Sequence, residues 1–220
     1  IIEIHNRPLV LMSLIKKIDA KFIMYYHNDP LSMSGSKTIS ERNEIINKVD
    51  KLIFISKWVK NRFFKGIDNK FLHKTEVIYH SANSRKKTAK YNYIVFVGKL
   101  NYSKGYDIYK DAILKILEEF TTWKALSIGE ESRRSIYIKH KQHKELGFTN
   151  HEKTLKILDK SEIAVVPSRW QEPFGRVALE AAASGCATIT SNTGGLSETN
   201  DYVVNINEIN SIKLYKEIKS

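Results

Sequence analysis

The stretch Pro167–Gly195, PSRWQEPFGRVALEAAASGCATITSNTGG, holds two glutamates, Glu172 and Glu180, with seven residues between them. A carboxylate is acceptor-only and can take two hydroxyl hydrogens at once, so two such groups suit two vicinal diols, one on a sugar and one on a ribose. Glu172 precedes Pro173, Phe174 and Gly175. Proline fits the first turn of a helix, where its missing N–H costs nothing. A helix is therefore expected over Phe174–Ser184, with Gly185 as the residue that ends it. Glu172 then stands at the helix N-terminus, beside the free N–H groups of Phe174, Gly175 and Arg176, and Gly175 admits a ligand close to the backbone. The simpler alternative is that Glu172 caps the helix and Glu180 pairs with a nearby lysine.

A second stretch, VGKLNYSKGYD (Val97–Asp107), puts Gly98, Lys99, Lys104 and Gly105 between an apolar run and a helical pattern. Two lysines facing a helix N-terminus make a phosphate site from charge and backbone N–H groups. The glycine spacing is not that of a Walker A loop, and lysines at a turn are often only solvated. The pair Gly194–Gly195 allows a sharp turn or a close approach to a ligand.

These residues need strands and helices to position them. Apolar runs are expected to form strands at Lys21–His27, Lys51–Ser56, Thr75–Tyr79, Tyr93–Val97, Ala125–Ile128, Glu162–Val166 and Ala187–Thr190. Their near-continuous apolarity suits strands buried on both faces. Helical patterns cover Ser36–Val49, Lys57–Lys65, Lys104–Phe120 and His151–Lys160, with Ile108, Ala112, Ile116 and Phe120 along one stripe. The alternation predicts an α/β chain with parallel sheets. The polar, basic stretch from His80 to Asn92 reads as a connection, giving units 1–83 and 93–220 joined by a linker at 84–92. Ligands of open parallel sheets sit beyond the carboxyl ends of the strands. Those positions here include His27, Gly98–Lys99, Gly129–Glu130, Ser168–Pro173 and Ser191–Gly195.

Of 220 residues 42% are hydrophobic, enough for one large or two small cores. A single cysteine, Cys186, excludes an intramolecular disulfide and points to a reducing compartment. No apolar run reaches about 18 residues, and the opening residues lack the pattern of a signal peptide. The chain opens on Ile1 in a strand-like stretch, so it is expected to belong to a longer protein. The net charge is +12. Residues 1–89 hold 17 Lys/Arg against 8 Asp/Glu, and residues 90–220 hold 19 against 16. The basic first half suggests an acidic partner such as anionic lipid headgroups or a phosphorylated acceptor, or a lysine-rich surface that keeps the chain soluble. No recognised nucleic-acid motif occurs, and nucleic acid is not expected as a partner.

Taken together, Gly98-Lys99 with Lys104-Gly105, PSRWQEPFG with Glu172 and Glu180, and Gly194–Gly195 resemble the C-terminal domain of family 4 retaining glycosyltransferases. That family has the GT-B fold, two Rossmann-like parallel-sheet domains facing a cleft. The resemblance covers nearly all of Tyr91–Tyr202. It implies that Lys99, Lys104, Gly98 and Arg176 hold a donor diphosphate. It implies that Glu172 contacts sugar hydroxyls with the backbone near Phe174 and Gly175, that Glu180 holds the ribose, and that the base lies near Gly129–Glu130 and the loop after Gly147. The usual first basic residue is arginine, so Lys99 replaces a bidentate fork with a point charge. In the first half, EIHNRP and YYHNDP resemble the family's histidine-bearing strand ends, which would put His27 near the reacting carbon, with His5 a weaker candidate. Catalytic roles then fall to His27, Glu172 and Lys104. The wording EIHNRP, HNDPLSM and SKWVKNRF is similar to the lipopolysaccharide-core mannosyltransferases. The family's early glycine-rich loop has no counterpart in the sequence, so the N-terminal domain is expected to be incomplete.

The implied activity is metal-independent transfer of a hexose, mannose by the branch resemblance, to a glycan or lipid-linked acceptor. No Asp-x-Asp motif occurs. No cofactor is expected, because the nucleotide diphosphate sugar is a substrate. The implied location is the cytoplasm, with the inner membrane face as a surface for the basic half. Alternatives are a nucleotide-sugar-binding module without turnover, or a glycogen-synthase-like or epimerase-like enzyme on the same fold.

Overall fold

The structure, a computed structural model, describes residues 1–85, 88–133, 135–199 and 203–220, and Asn69 by its backbone alone. The chain divides into two compact units, Ile1–His80 and Ser81–Ser220.

Unit 1 alternates β1 (Ile2–His5), α1 (Pro8–Ile15), β2 (Phe22–Tyr26), α2 (Ile39–Lys48), β3 (Lys51–Phe54), α3 (Lys57–Phe64) and β4 (Thr75–Val77). The strands pair in parallel in the order β1-β2-β3-β4. In β2, Phe22, Met24 and Tyr26 alternate inward onto the core, the period of two that a strand imposes. Thr38 and Glu41 close a capping box at the start of α2, each satisfying a backbone N–H of the other. Arg42 in that helix is buried, and its guanidinium donates to the carbonyls of Phe63, Lys37 and Lys65. A buried cation is tolerable because those carbonyls replace its water.

Unit 2 runs β5 (Tyr91–Val97), α4 (Tyr106–Glu119), β6 (Lys124–Ile128), β7 (His143–Glu145), α5 (His151–Lys160), β8 (Ser161–Val166), α6 (Arg176–Ala183), β9 (Ala187–Ser191), β10 (Val203–Ile206) and α7 (Ser211–Lys219). The sheet is parallel in the order β10-β9-β8-β5-β6-β7. Ile94 and Phe96 of β5 pack with Tyr109 and Ile113 of α4 and Leu214 of α7. Val95 packs on the opposite face with Leu158 of α5 and Ala181 of α6. Central strands are therefore apolar on both faces, which is why they read as continuous runs.

Several boundaries differ from the expected ones. The helix expected over Phe174–Ser184 begins at Arg176, with Gly175 as its N-cap at φ +115°. Pro173 and Phe174 precede it, because the chain must first turn through a left-handed residue. The helix expected from Lys104 begins at Tyr106, after a 3-10 turn over Tyr102–Lys104 capped by Asn101. Strands β7 and β10 were not expected. Of the stretch at 84–92, Lys86 and Lys87 lie outside the described residues. Arg85 forms a double hydrogen bond with Asp159, at 2.5 and 2.6 Å, and Lys90 donates to the carbonyls of Leu158 and Ser184.

Candidate functional site

The carboxyl ends of β5 and β8 bring together two of the residues picked out from the sequence. Lys104 Nζ lies 2.5 Å from Glu172 Oε1, although 68 positions separate them. The loops that carry them are fastened by main-chain bonds: Arg169 and Trp170 both donate N–H to the Ser103 carbonyl at 2.9 Å. Asn101 Oδ1 accepts the Lys104 N–H, fixing the turn that presents the lysine. Ser168 Oγ donates to the same Glu172 Oε1 at 3.0 Å. One carboxylate oxygen is therefore held from two sides. Among the described residues the other oxygen, Oε2, accepts no hydrogen bond. The Glu172 side chain is 16% exposed and that of Lys104 31%, so water reaches the pair only in part.

The Gly194–Gly195 loop forms the wall behind Glu172. The Gly195 N–H donates to the Glu172 carbonyl at 2.6 Å. Gly194 sits at φ +64°, and a Cβ there would collide with the backbone N and O of Glu172. Gly194 N–H also donates to Gln171 Oε1. These glycines touch the loop that carries Glu172. Gly175 matters for a similar reason: its φ of +115° is costly for other residues, and a Cβ would meet Leu196. Among the described residues no side chain caps the first N–H groups of α6.

Glu180 faces a different set of partners. Its Oε1 lies 3.0 Å from His151 Nε2 and 3.3 Å from Arg176. The simpler alternative expected a lysine at Glu180 and a capping role for Glu172, and neither arrangement is present among the described residues. Arg176, expected beside the diphosphate, is 63% exposed and pairs with Glu180 one turn on. Phe174 is buried and its carbonyl accepts from Thr199, so any sugar contact there falls to the backbone. Gly98 ends β5 with its N–H on the Ile128 carbonyl. Lys99 is exposed and its charge acts on Glu131, whose carboxyl is held below the usual range chiefly by a hydrogen bond from Asn101. A cleft of about 260 Å³ lined by Leu100, Glu130, Glu131, Ser132 and Glu145 opens in this unit. Beside it, Gly129 N–H donates to the Gly147 carbonyl and Glu130 accepts from the Phe148 N–H. The two segments expected near the base are thus joined. His27 lies in unit 1, with its Nε2 2.9 Å from His5 Nδ1.

Residues missed by the sequence reading are Asn101 and His151, and Ser168 is placed at a strand end without its contact with Glu172. Asn101 carried a signal: an asparagine three residues before Lys104 is a cap in waiting. Ser168 lies four residues before Glu172, within the same loop, whereas His151 reaches Glu180 across 29 positions through folding, which no local spacing records.

Residues 80–206 match the family model of glycosyl transferases group 1. An uncharacterized 42.6 kDa protein in the cps region of Klebsiella pneumoniae is 31% identical over 185 residues, spanning 79% of this chain and 45% of that protein. An uncharacterized glycosyltransferase of Methanocaldococcus jannaschii is 36% identical over 118 residues, spanning 51% of this chain and 30% of that one. The chain thus spans less than half the length of these two relatives. The structure of Anabaena HepE in complex with UDP superposes with a TM-score of 0.80 at 18% identity, covering 99% of this chain and 68% of HepE. Sucrose-phosphate synthase from Thermosynechococcus elongatus does so at 0.73 and 18%, covering 99% and 63%. At such identity the likeness is one of fold, the α/β architecture of paired Rossmann-like parallel-sheet units seen in GT-B glycosyltransferases. With more than half its length matched by the family model, the chain belongs to the glycosyl transferases group 1 family.

Proposed function

We propose that the protein is a retaining glycosyltransferase that moves a hexose from a nucleotide diphosphate sugar to a hydroxyl of a glycan or lipopolysaccharide-core acceptor. The observation that carries this reading is the Lys104–Glu172 pair at the strand ends, with one carboxylate oxygen held and the other open. Lys104 brings positive charge to the place where a diphosphate would lie, and Lys99 adds a second, more exposed charge. Glu172 Oε2 accepts from a sugar hydroxyl, while Oε1 stays on Lys104 and Ser168 and keeps the group in one orientation. The uncapped start of α6 adds N–H dipoles.

In the transfer, the anomeric carbon becomes oxocarbenium-like and negative charge grows on the leaving diphosphate. Fixed donors that meet this charge without reorganising each contribute a few kcal/mol. Lysine gives a point charge rather than a fork, so the diphosphate is gripped less directionally than by arginine. Glu180, between Arg176 and His151, suits the ribose hydroxyls. Anabaena HepE has been solved with UDP and with UDP-glucose, which supports a nucleotide-sugar donor. The branch resemblance favours mannose. The basic first half suits an anionic membrane surface bearing a lipid-linked acceptor, on the cytoplasmic side.

The test is release of free nucleoside diphosphate from a panel of UDP-glucose, GDP-mannose and ADP-glucose, with and without a lipopolysaccharide-core acceptor. Acceptor-dependent release from one donor, abolished in Lys104→Met, is expected. Tight binding of every donor with no release from any would instead identify a binding module.

A further inference from the structure

The carboxylate of Glu180 repeats the pattern seen at Glu172, with partners of its own. Its side chain is 15% exposed, and Oε1 lies 3.0 Å from His151 Nε2 and 3.3 Å from Arg176 Nη2. Among the described residues Oε2 accepts no hydrogen bond. One oxygen is held and the other is open, and every residue involved belongs to unit 2. The two donors are unequal. Arg176 comes from the same helix, four residues before Glu180, and is exposed. Such i,i+4 pairs on a helix surface contribute little. His151 comes from the first turn of α5, 29 positions away, and makes the shorter bond. A carboxylate only accepts, so the hydrogen of that bond sits on His151 Nε2.

The start of α5 fixes the backbone that carries the ring. Asn150 caps the helix, its Oδ1 accepting the Lys153 N–H at 2.9 Å. Thr154 is buried, and its hydroxyl meets Thr149 Oγ1 and the Asn150 carbonyl. One turn further, Leu158 packs with Ala181 of α6, the residue after Glu180. The His151 side chain itself is 61% exposed. A ring so exposed packs little, and among the described residues its one polar contact is Glu180. The segment leading into α5 also reaches the place expected for the base, where Glu130 accepts the Phe148 N–H at 3.1 Å. A nucleoside carries its vicinal diol on the ring next to its base. One short segment here, residues 148–151, touches both Glu130 and Glu180.

We propose that His151 is a positioning residue for the nucleotide: by donating from Nε2 to Oε1 it leaves Glu180 Oε2 aimed at the 2′- and 3′-hydroxyls of the donor's ribose. This rests on the glycosyl-transfer reading and on Glu180 as the ribose carboxylate. A carboxylate already held in one orientation loses little freedom when the hydroxyls arrive. Without the imidazole, Oε1 keeps only the longer bond to Arg176, and the nucleotide must order the group itself. His151 therefore acts on donor binding and leaves the transfer step alone.

Titration calorimetry of UDP and GDP, and of their 2′,3′-dideoxy analogues, into the wild-type chain and His151→Ala tests this. The alanine variant should bind the wild type's preferred ribonucleotide about tenfold more weakly, the scale of one hydrogen bond to a charged group. It should bind the dideoxy analogue as the wild type does. In transfer assays its donor KM should rise with kcat unchanged. His151→Gln has an amide that can donate to the same oxygen and should recover most of the lost affinity. In a Glu180→Ala background, His151→Ala should cost nothing further. Equal losses for the ribonucleotide and its dideoxy analogue would show a mere tie between α5 and α6 and overturn the proposal. Unchanged ribonucleotide affinity, a glutamine variant as weak as alanine, or an undiminished loss in the Glu180→Ala background would overturn it too. Nucleotide binding lost in Lys104→Met but intact in His151→Ala would overturn this inference and leave the donor site standing, whereas no nucleotide binding by the wild type would overturn both.

Discussion

Replacing Glu172 by glutamine probes the site with the least disturbance of shape. The carboxylate receives Lys104 at 2.5 Å and Ser168 at 3.0 Å on one oxygen. Glutamine keeps an oxygen for both donors but loses the charge. A hydrogen bond to a charged group contributes about 1.5–3 kcal/mol and a neutral one about 0.5–1.5. The difference is about 1 kcal/mol, reduced by solvent because Lys104 is 31% exposed. For 220 residues a loss of that size lowers Tm by about 2–4 °C. Function should change more. Lys104 is released from a charged partner, so UDP or GDP should bind as well as before or better. The sugar loses a fixed acceptor, and transfer should fall about a hundredfold, the scale for removing one preorganised contact. Titration calorimetry with the nucleoside diphosphate and initial rates with its sugar give both quantities. Parallel loss of nucleotide affinity and rate would refute the assignment of Glu172 to the sugar.

Gly194→Ala should destabilise the loop by at least about 1 kcal/mol from its left-handed backbone alone. It should also depress transfer by displacing Glu172, and a variant with wild-type melting and rate would remove that wall from the account. Glu180→Gln should weaken nucleotide binding, and unchanged affinity would rule out the ribose role. Asp159 titrates below its usual range, chiefly through its hydrogen bonds with Arg85. Its contribution is complete above the unfolded carboxyl value near 4 and is lost as pH falls through the lower folded value. Urea melts from about pH 5 to 2 should therefore show a shallower loss of stability in Asp159→Asn than in the wild type. Identical slopes would mean the pair is not carrying that pH dependence.

The central strands were legible because both faces are buried, so Tyr93–Val97 and Glu162–Val166 needed no context. Strand β7, His143–Glu145, was not, since an edge strand of His, Lys and Glu has no apolar signature. Helix α7 did carry a signal, Asn210 capping the N–H groups of Ile212 and Lys213, that could have found it. The start of α6 was misplaced because Pro173 suits a first helical turn, while the observed left-handed turn at Gly175 depends on packing against Leu196. The types of the site residues could be read, but their pairing could not. Lys104 meets Glu172, and His5 meets His27, only once parallel strands bring their carboxyl ends side by side. The Gly194–Gly195 pair shows the same limit: the sequence marks a turn, and only the fold reveals which backbone it presses against.

The most direct test of the donor site is titration calorimetry of UDP-glucose and GDP-mannose into the wild-type chain and into Lys104→Met. At least one donor should bind the wild type, and removing the ammonium should weaken it about ten- to a hundredfold, the scale of a charge-assisted hydrogen bond. Equal affinity in the two proteins, or no binding of either donor to the wild type, would contradict a diphosphate site at Lys104.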